Sequence, residues 1–138
     1  MHTPRVLVVA ASMLALAACA PAGPRPIAYG DAECAFCRMG ISDPRFGAEL
    51  VTRTGKVRDF DSIECLASYL LRGIDSAAVR SVWVTDFRRP GTLVAAEHAR
   101  YLRVAAGPAS PMGLGIVAVA AEADEGALRA AFGGEPMR

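Results

Sequence analysis

The chain has 138 residues, enough for one modest domain, and its 15 basic and 14 acidic residues leave a formal charge of +1. No basic excess is available to hold a nucleic-acid backbone, and no run of like charges marks a disordered tail. With 53% hydrophobic residues, Val, Leu and Ile recurring through the body predict a folded core.

The first five residues carry positive charge at Arg5, and Val6 to Ala18 is an apolar run broken only by Ser12. That run is shorter than the roughly 20 residues a membrane-spanning helix needs. A charged start, a short apolar run and small residues at its end predict a secretory signal over 1–18. Leu16-Ala17-Ala18-Cys19 predicts the lipoprotein form of that signal, in which the Cys19 thiol is lipidated and becomes the mature N-terminus. The absence of Asp at position 20 favours, by resemblance to bacterial lipoproteins, the outer over the inner membrane. Residues 19–33, rich in Pro, Gly and Ala, read as the lipidated cysteine and a flexible tether. The remaining domain is expected over 34–134.

Within that body, residues 48–52 read as a strand, Arg53-Thr54-Gly55-Lys56 as a hairpin turn, and residues 57–60 as its partner. Asp61 reads as an N-cap with Glu64 three positions on, a capping box. Ile63, Leu66, Ala67 and Leu70 follow at helical spacing, and Arg72-Gly73 ends the helix. Ser81–Thr85 is a β-branched and aromatic strand. Residues 93–95 and 101–104 are short strands around a turn, 107–115 is a Gly/Pro-rich loop containing Met112, 116–119 is a strand, and 122–132 is a helix stopped by Gly133-Gly134. The order predicts one small α+β domain with short antiparallel sheets and two main helices, with a duplicated ββα unit as an option.

The mature body holds Cys34, Cys37 and Cys65, an odd number in a compartment that oxidises thiols, so a purely structural disulfide framework does not account for them. Cys34-Ala35-Phe36-Cys37-Arg38-Met39 is the focal element. Two thiolates with two residues between them reach one metal ion from a single turn, and Met39 adds a thioether. Met112, between Pro111 and Gly113, has no evident core to fill. Thiolate and thioether together select Cu(I) over harder ions. Bland readings stand beside these: a Cys34–Cys37 disulfide or half a zinc site, methionines as core fillers, and Cys65 as a buried core residue. His98 reads as a surface residue. Asp61 is explained by capping, whereas Asp59 has no evident structural task.

The CxxCxM element, the block Phe60-Asp61-Ser62-Ile63-Glu64-Cys65-Leu66-Ala67-Ser68-Tyr69-Leu70, Trp83-Val84-Thr85-Asp86-Phe87, Ser110-Pro111-Met112-Gly113 and the closing Val117-Ala118-Val119-Ala120-Ala121-Glu122 occur in this order. Together they resemble the NosL family of lipoprotein copper chaperones, which supply Cu(I) to nitrous oxide reductase. The resemblance implies a ββα-type fold related in outline to that of organomercurial lyase. It further implies Cu(I) held through sulfur by Cys34, Cys37, Met39 and Met112, with Asp59 and Asp61 as candidate copper-transfer residues. The implied partner is the copper transporter and maturation complex of nitrous oxide reductase. Arg38 departs from the commoner family form, which has Gly there. A guanidinium beside the thiols is expected to favour their anionic form.

The expected function is that of a metallochaperone and not an enzyme: a membrane-anchored, periplasm-facing domain that carries Cu(I) and passes it on by ligand exchange. Two other readings compete with it. One is a thiol–disulfide oxidoreductase using Cys34 and Cys37, against which Gly40 and Pro44 argue, because such a motif normally opens a helix. The other is a structural zinc module with Cys34, Cys37, Cys65 and His98 as four ligands, which leaves the methionines unexplained.

Overall fold

The computed structural model describes residues 23–137; the expected signal over 1–18 and the lipidation site Cys19 lie outside them. The chain forms nine principal elements: β1 (Ala48–Thr52), β2 (Val57–Phe60), α1 (Ile63–Leu71), β3 (Val79–Thr85), β4 (Leu93–Ala95), β5 (Arg100–Arg103), β6 (Ile116–Val119), α2 (Glu122–Phe132) and β7 (Glu135–Met137). They build two small antiparallel sheets, ordered β2-β1-β3-β4 and β6-β5-β7. The sheets are joined where Asp86 bridges Ala118 and the Phe87 N–H donates to the Ala118 carbonyl at 2.8 Å. This is an α+β domain.

The two halves repeat one ββαβ topology. In each, a hairpin is followed by a helix, and the next strand returns to the far side of the hairpin's first strand. β4 is an addition to the first half. β7, not anticipated from sequence, completes the second. Gly133-Gly134 does end α2, but it also reverses the chain: Gly134 has φ 112, and a Cβ there would collide with the Arg103 carbonyl. Only glycine lets β7 turn back tightly enough to pair with β5.

The core lies in two adjoining parts. Ile41, Leu50, Phe60, Leu66 and Val84 fill the first, and Phe46, Leu102, Val117, Val119 and Leu128 the second. The packed body reaches into the expected tether. Ile27 is buried, and Gly47 carries no side chain where Ile27 and the Tyr29 hydroxyl press against it. Residues from Ile27 onward are therefore part of the folded body, because their apolar side chains cover β1. Central strand β1 is buried from Ala48 to Val51, Glu49 included. Glu49 takes two hydrogen bonds at 3.3 Å from the Arg25 N–H, which ties the N-terminal segment down.

Helix α1 begins one residue later than the capping-box reading has it. Ser62, fully buried, is the N-cap: its extended backbone leaves the hydroxyl free to accept from the Cys65 N–H at 3.2 Å. Asp61 is released from capping, and Glu64 turns elsewhere.

Candidate metal centre

The cysteine pair sits at the tip of a closed loop. The Gly30 N–H donates to the Ile41 carbonyl at 2.8 Å, the Ile41 N–H to the Ala32 carbonyl at 2.9 Å, and the Cys34 N–H to the Met39 carbonyl at 2.8 Å. No helix follows Cys37, so the thiols lack the helix N-terminus that the oxidoreductase reading requires. Instead, the Arg38 N–H closes on the Cys34 carbonyl at 3.0 Å, with Arg38 at φ 66, the left-handed region that favours glycine. That backbone requirement accounts for the glycine expected there by resemblance.

Two contacts fix this loop to the first sheet. The Ala35 N–H donates to the Asp59 carbonyl at 2.8 Å, and the Arg72 guanidinium at the end of α1 covers the Phe36 ring at 4.5 Å. The loop is thereby held over the junction between β2 and α1, where Asp61 and Cys65 lie. The Sγ atoms of Cys34, Cys37 and Cys65 and a carboxylate oxygen of Asp61 all fall within 4.8 Å of one another. Cys34, Asp61 and Cys65 are buried and Cys37 is partly exposed, so the cluster has one open side. The three cysteines are free thiols. One carboxylate and three thiols at this separation can converge on a single metal ion.

The Cys37 thiol donates to Asp61 Oδ2 at 3.3 Å. Burial pushes the Cys37 thiol above its ordinary range, and the neighbouring Cys34 and Asp61 add to the shift while the Met39 backbone opposes it. The Cys65 thiol is pushed up too, by burial first and then by Asp61 and Cys34. Both shifts favour the protonated forms of Cys37 and Cys65 at neutral pH. Arg38 contributes to neither shift. Its guanidinium points away to an exposed pair with Glu33 at 3.3 Å, which corrects the expectation that it would favour these thiolates.

Of the residues singled out from sequence, Cys34, Cys37 and Asp61 meet in the cluster. Met39 and Met112 are exposed side chains, 64% and 43% accessible. Asp59 does not join the cluster. Its carboxylate pairs with Arg25 at 3.5 Å, the structural task that sequence reasoning lacked. Cys65 is buried, as the core reading has it, but among the other sulfurs. Asp61 occupies the fourth place that the zinc reading gave to His98, which is exposed on a short 3-10 turn after β4. The signal for Cys65 was the odd cysteine count. Asp61 was obscured because it also fits a helix cap.

A model of the NosL family matches residues 27–138. Among solved structures, the chain resembles the crystal structure of the copper chaperone NosL from Shewanella denitrificans. The two are 28% identical with a TM-score of 0.72, over 86% of this chain and 94% of that one. No curated protein sequence matches the chain.

Proposed function

The chain belongs to the NosL family, and from that premise we propose that it is a copper metallochaperone carrying Cu(I) for the maturation of nitrous oxide reductase. The observation that carries this reading is the convergence of three free thiols and one carboxylate within 4.8 Å on a partly open side of the fold. Soft sulfur ligands favour a monovalent copper ion. The copper chaperone that this fold resembles supports the same cargo.

In this reading Cys34, Cys37 and Cys65 grip the ion, Asp61 steadies its charge, and the thioethers of Met39 and Met112 complete the exposed side. A thioether is neutral and needs no deprotonation, so it can let go of the ion without taking up a proton. Exposed methionines suit a carrier, because a partner's ligand can enter before the buried thiolates leave. The partner is the copper transporter and maturation complex of the reductase. The protein acts on the periplasmic side of a membrane, held by acylated Cys19. No helix among the described residues is long and apolar enough to cross a bilayer. Acyl chains contribute about 0.8 kcal/mol per buried methylene, so a multiply acylated Cys19 suffices as an anchor.

Anaerobic titration of the mature protein with Cu(I) against a competing chelator tests the cargo. One tight equivalent is expected, lost in Cys34→Ser and weakened in Met112→Ala; binding unchanged in both variants overturns the reading. The carboxylate in the cluster is the feature that favours zinc. Stoichiometric zinc that Cu(I) fails to displace would support that second reading.

A further inference from the structure

Glu64 lies next to Cys65 in the first turn of α1 and is 5% exposed. Such a carboxylate usually faces solvent or caps its own helix, and this one does neither. Its Oε1 accepts a short hydrogen bond from the Ser110 hydroxyl, 46 residues away. Its Oε2 is equally enclosed and meets no donor among the described residues. Among the described residues, Ser110 is thus the side chain that hydrogen-bonds the Glu64 carboxylate.

Ser110 is itself 3% exposed and begins a β-turn. The Gly113 N–H donates to the Ser110 carbonyl at 2.8 Å, with Pro111 and Met112 at the two central positions. Among the described residues, Arg38 is the sole non-glycine with positive φ, so Met112 has negative φ and the turn is type I, which favours Pro111 where it stands. The Ser110 oxygen also accepts from the Gly115 N–H at 3.0 Å, closing the loop's far end. One hydroxyl therefore secures both ends of the Met112 turn, and it is bonded to the residue beside Cys65. Two residues span at most about 7 Å, so the Met112 backbone stays within that distance of the Ser110 backbone.

We propose that Glu64 and Ser110 form a clasp that holds the Met112 turn against the first turn of α1, the turn that carries Cys65, making both positioning residues for delivery of the Met112 thioether to a soft monovalent cation. This rests on the reading of Met112 as a copper ligand. The turn itself leaves Met112 exposed, and a long side chain on an untethered loop would spend most of its time away from the ion. The clasp removes that freedom before the ion arrives, so the ion does not have to order the loop on binding.

A double-mutant cycle on the mature protein, read as Cu(I) affinity under a competing chelator, tests the clasp. Ser110→Ala should weaken binding about tenfold, the loss expected for one buried hydrogen bond. Met112→Leu should weaken it at least as much. The double variant should bind no worse than Met112→Leu alone, because the clasp acts through the thioether. Glu64→Gln keeps an acceptor for the Ser110 hydroxyl and should bind close to wild type. Multiplying losses in the double variant, with Met112→Leu weakened, overturn the clasp and leave Met112 as a ligand. Wild-type affinity in Met112→Leu removes Met112 as a ligand and overturns the clasp with it. Faster amide exchange at Gly113 and Gly115 in metal-free Ser110→Ala is the second expected result; exchange equal to wild type overturns the clasp independently of copper.

Discussion

The Cys37 thiol donates a hydrogen bond to the Asp61 carboxylate at 3.3 Å, and this contact joins the loop of the CxxC pair to the start of α1. Burial favours the protonated thiol, and the hydrogen bond to Asp61 pushes the same way. Cys65, deeper in the cluster, is held protonated by burial and by the same carboxylate. These thiols therefore hold protons that a bound ion must displace, since sulfur binds metal as thiolate.

Loading should accordingly release protons from Cys37 and Cys65 at neutral pH, and affinity should rise with pH as those protons become easier to remove. Calorimetry of Cu(I) binding in two buffers of different ionisation enthalpy measures this directly. Equal heats in both buffers would mean that the thiols are already ionised in the metal-free protein.

Much of the fold was legible because its elements are short and sharply punctuated. The two short runs on either side of the Gly55 turn and the apolar spacing from Ile63 to Leu70 place the first half. The acidic start and glycine stop of 122–132 place α2. Strand β7 was hidden because Gly133-Gly134 reads as an ending, and its role as a reversal depends on the nearby Arg103 carbonyl, which is remote in sequence. The packed stretch from Ile27 was hidden for a related reason: proline and glycine suggest a tether, and only Gly47 against Tyr29 shows the close approach. At the site, spacing alone identified Cys34 and Cys37. Bringing Asp61 and Cys65 to them depended on the Ala35–Asp59 backbone bond and on Ser62 taking over the cap. No local pattern specified either event.

Ser62 links helix stability to the cluster. Its hydroxyl accepts from the Cys65 N–H, and its full burial leaves no solvent to replace that bond. Ser62→Ala should destabilise the protein by about 1 kcal/mol and loosen the first turn that carries Cys65. The urea midpoint should fall while the slope of the transition stays the same. An unchanged midpoint would show that α1 is held by packing alone.

Arg38 carries local strain with little return. Its φ of 66 places a residue that carries a Cβ in the left-handed region, at roughly 1–2 kcal/mol. Its pair with Glu33 at 3.3 Å is exposed on both sides and contributes little. Arg38→Gly should raise stability by about 0.5–1 kcal/mol after the greater freedom of glycine in the unfolded chain is deducted. Arg38→Ala retains the strain and should be no more stable than wild type. Equal gains in both variants would trace the effect to charge instead of backbone geometry.

Glu49 is enclosed by the way the N-terminal segment closes on β1. It is fully buried and stands directly across the strand pair from Asp59. Burial raises its pKa above 4.5, and the Asp59 charge adds to the rise, while the Arg25 backbone and charge oppose it. The folded protein thus keeps a proton that the unfolded chain releases, so this contribution to stability is complete below pH 4.5 and is lost as pH climbs through the folded pKa. Glu49→Gln keeps an oxygen to accept from the Arg25 N–H and removes the ionisation. Its melting temperature should exceed that of wild type at pH 7, and the difference should shrink steadily towards pH 4. A variant less stable than wild type at pH 7 would mean that the Glu49 charge, held by Arg25, strengthens the fold.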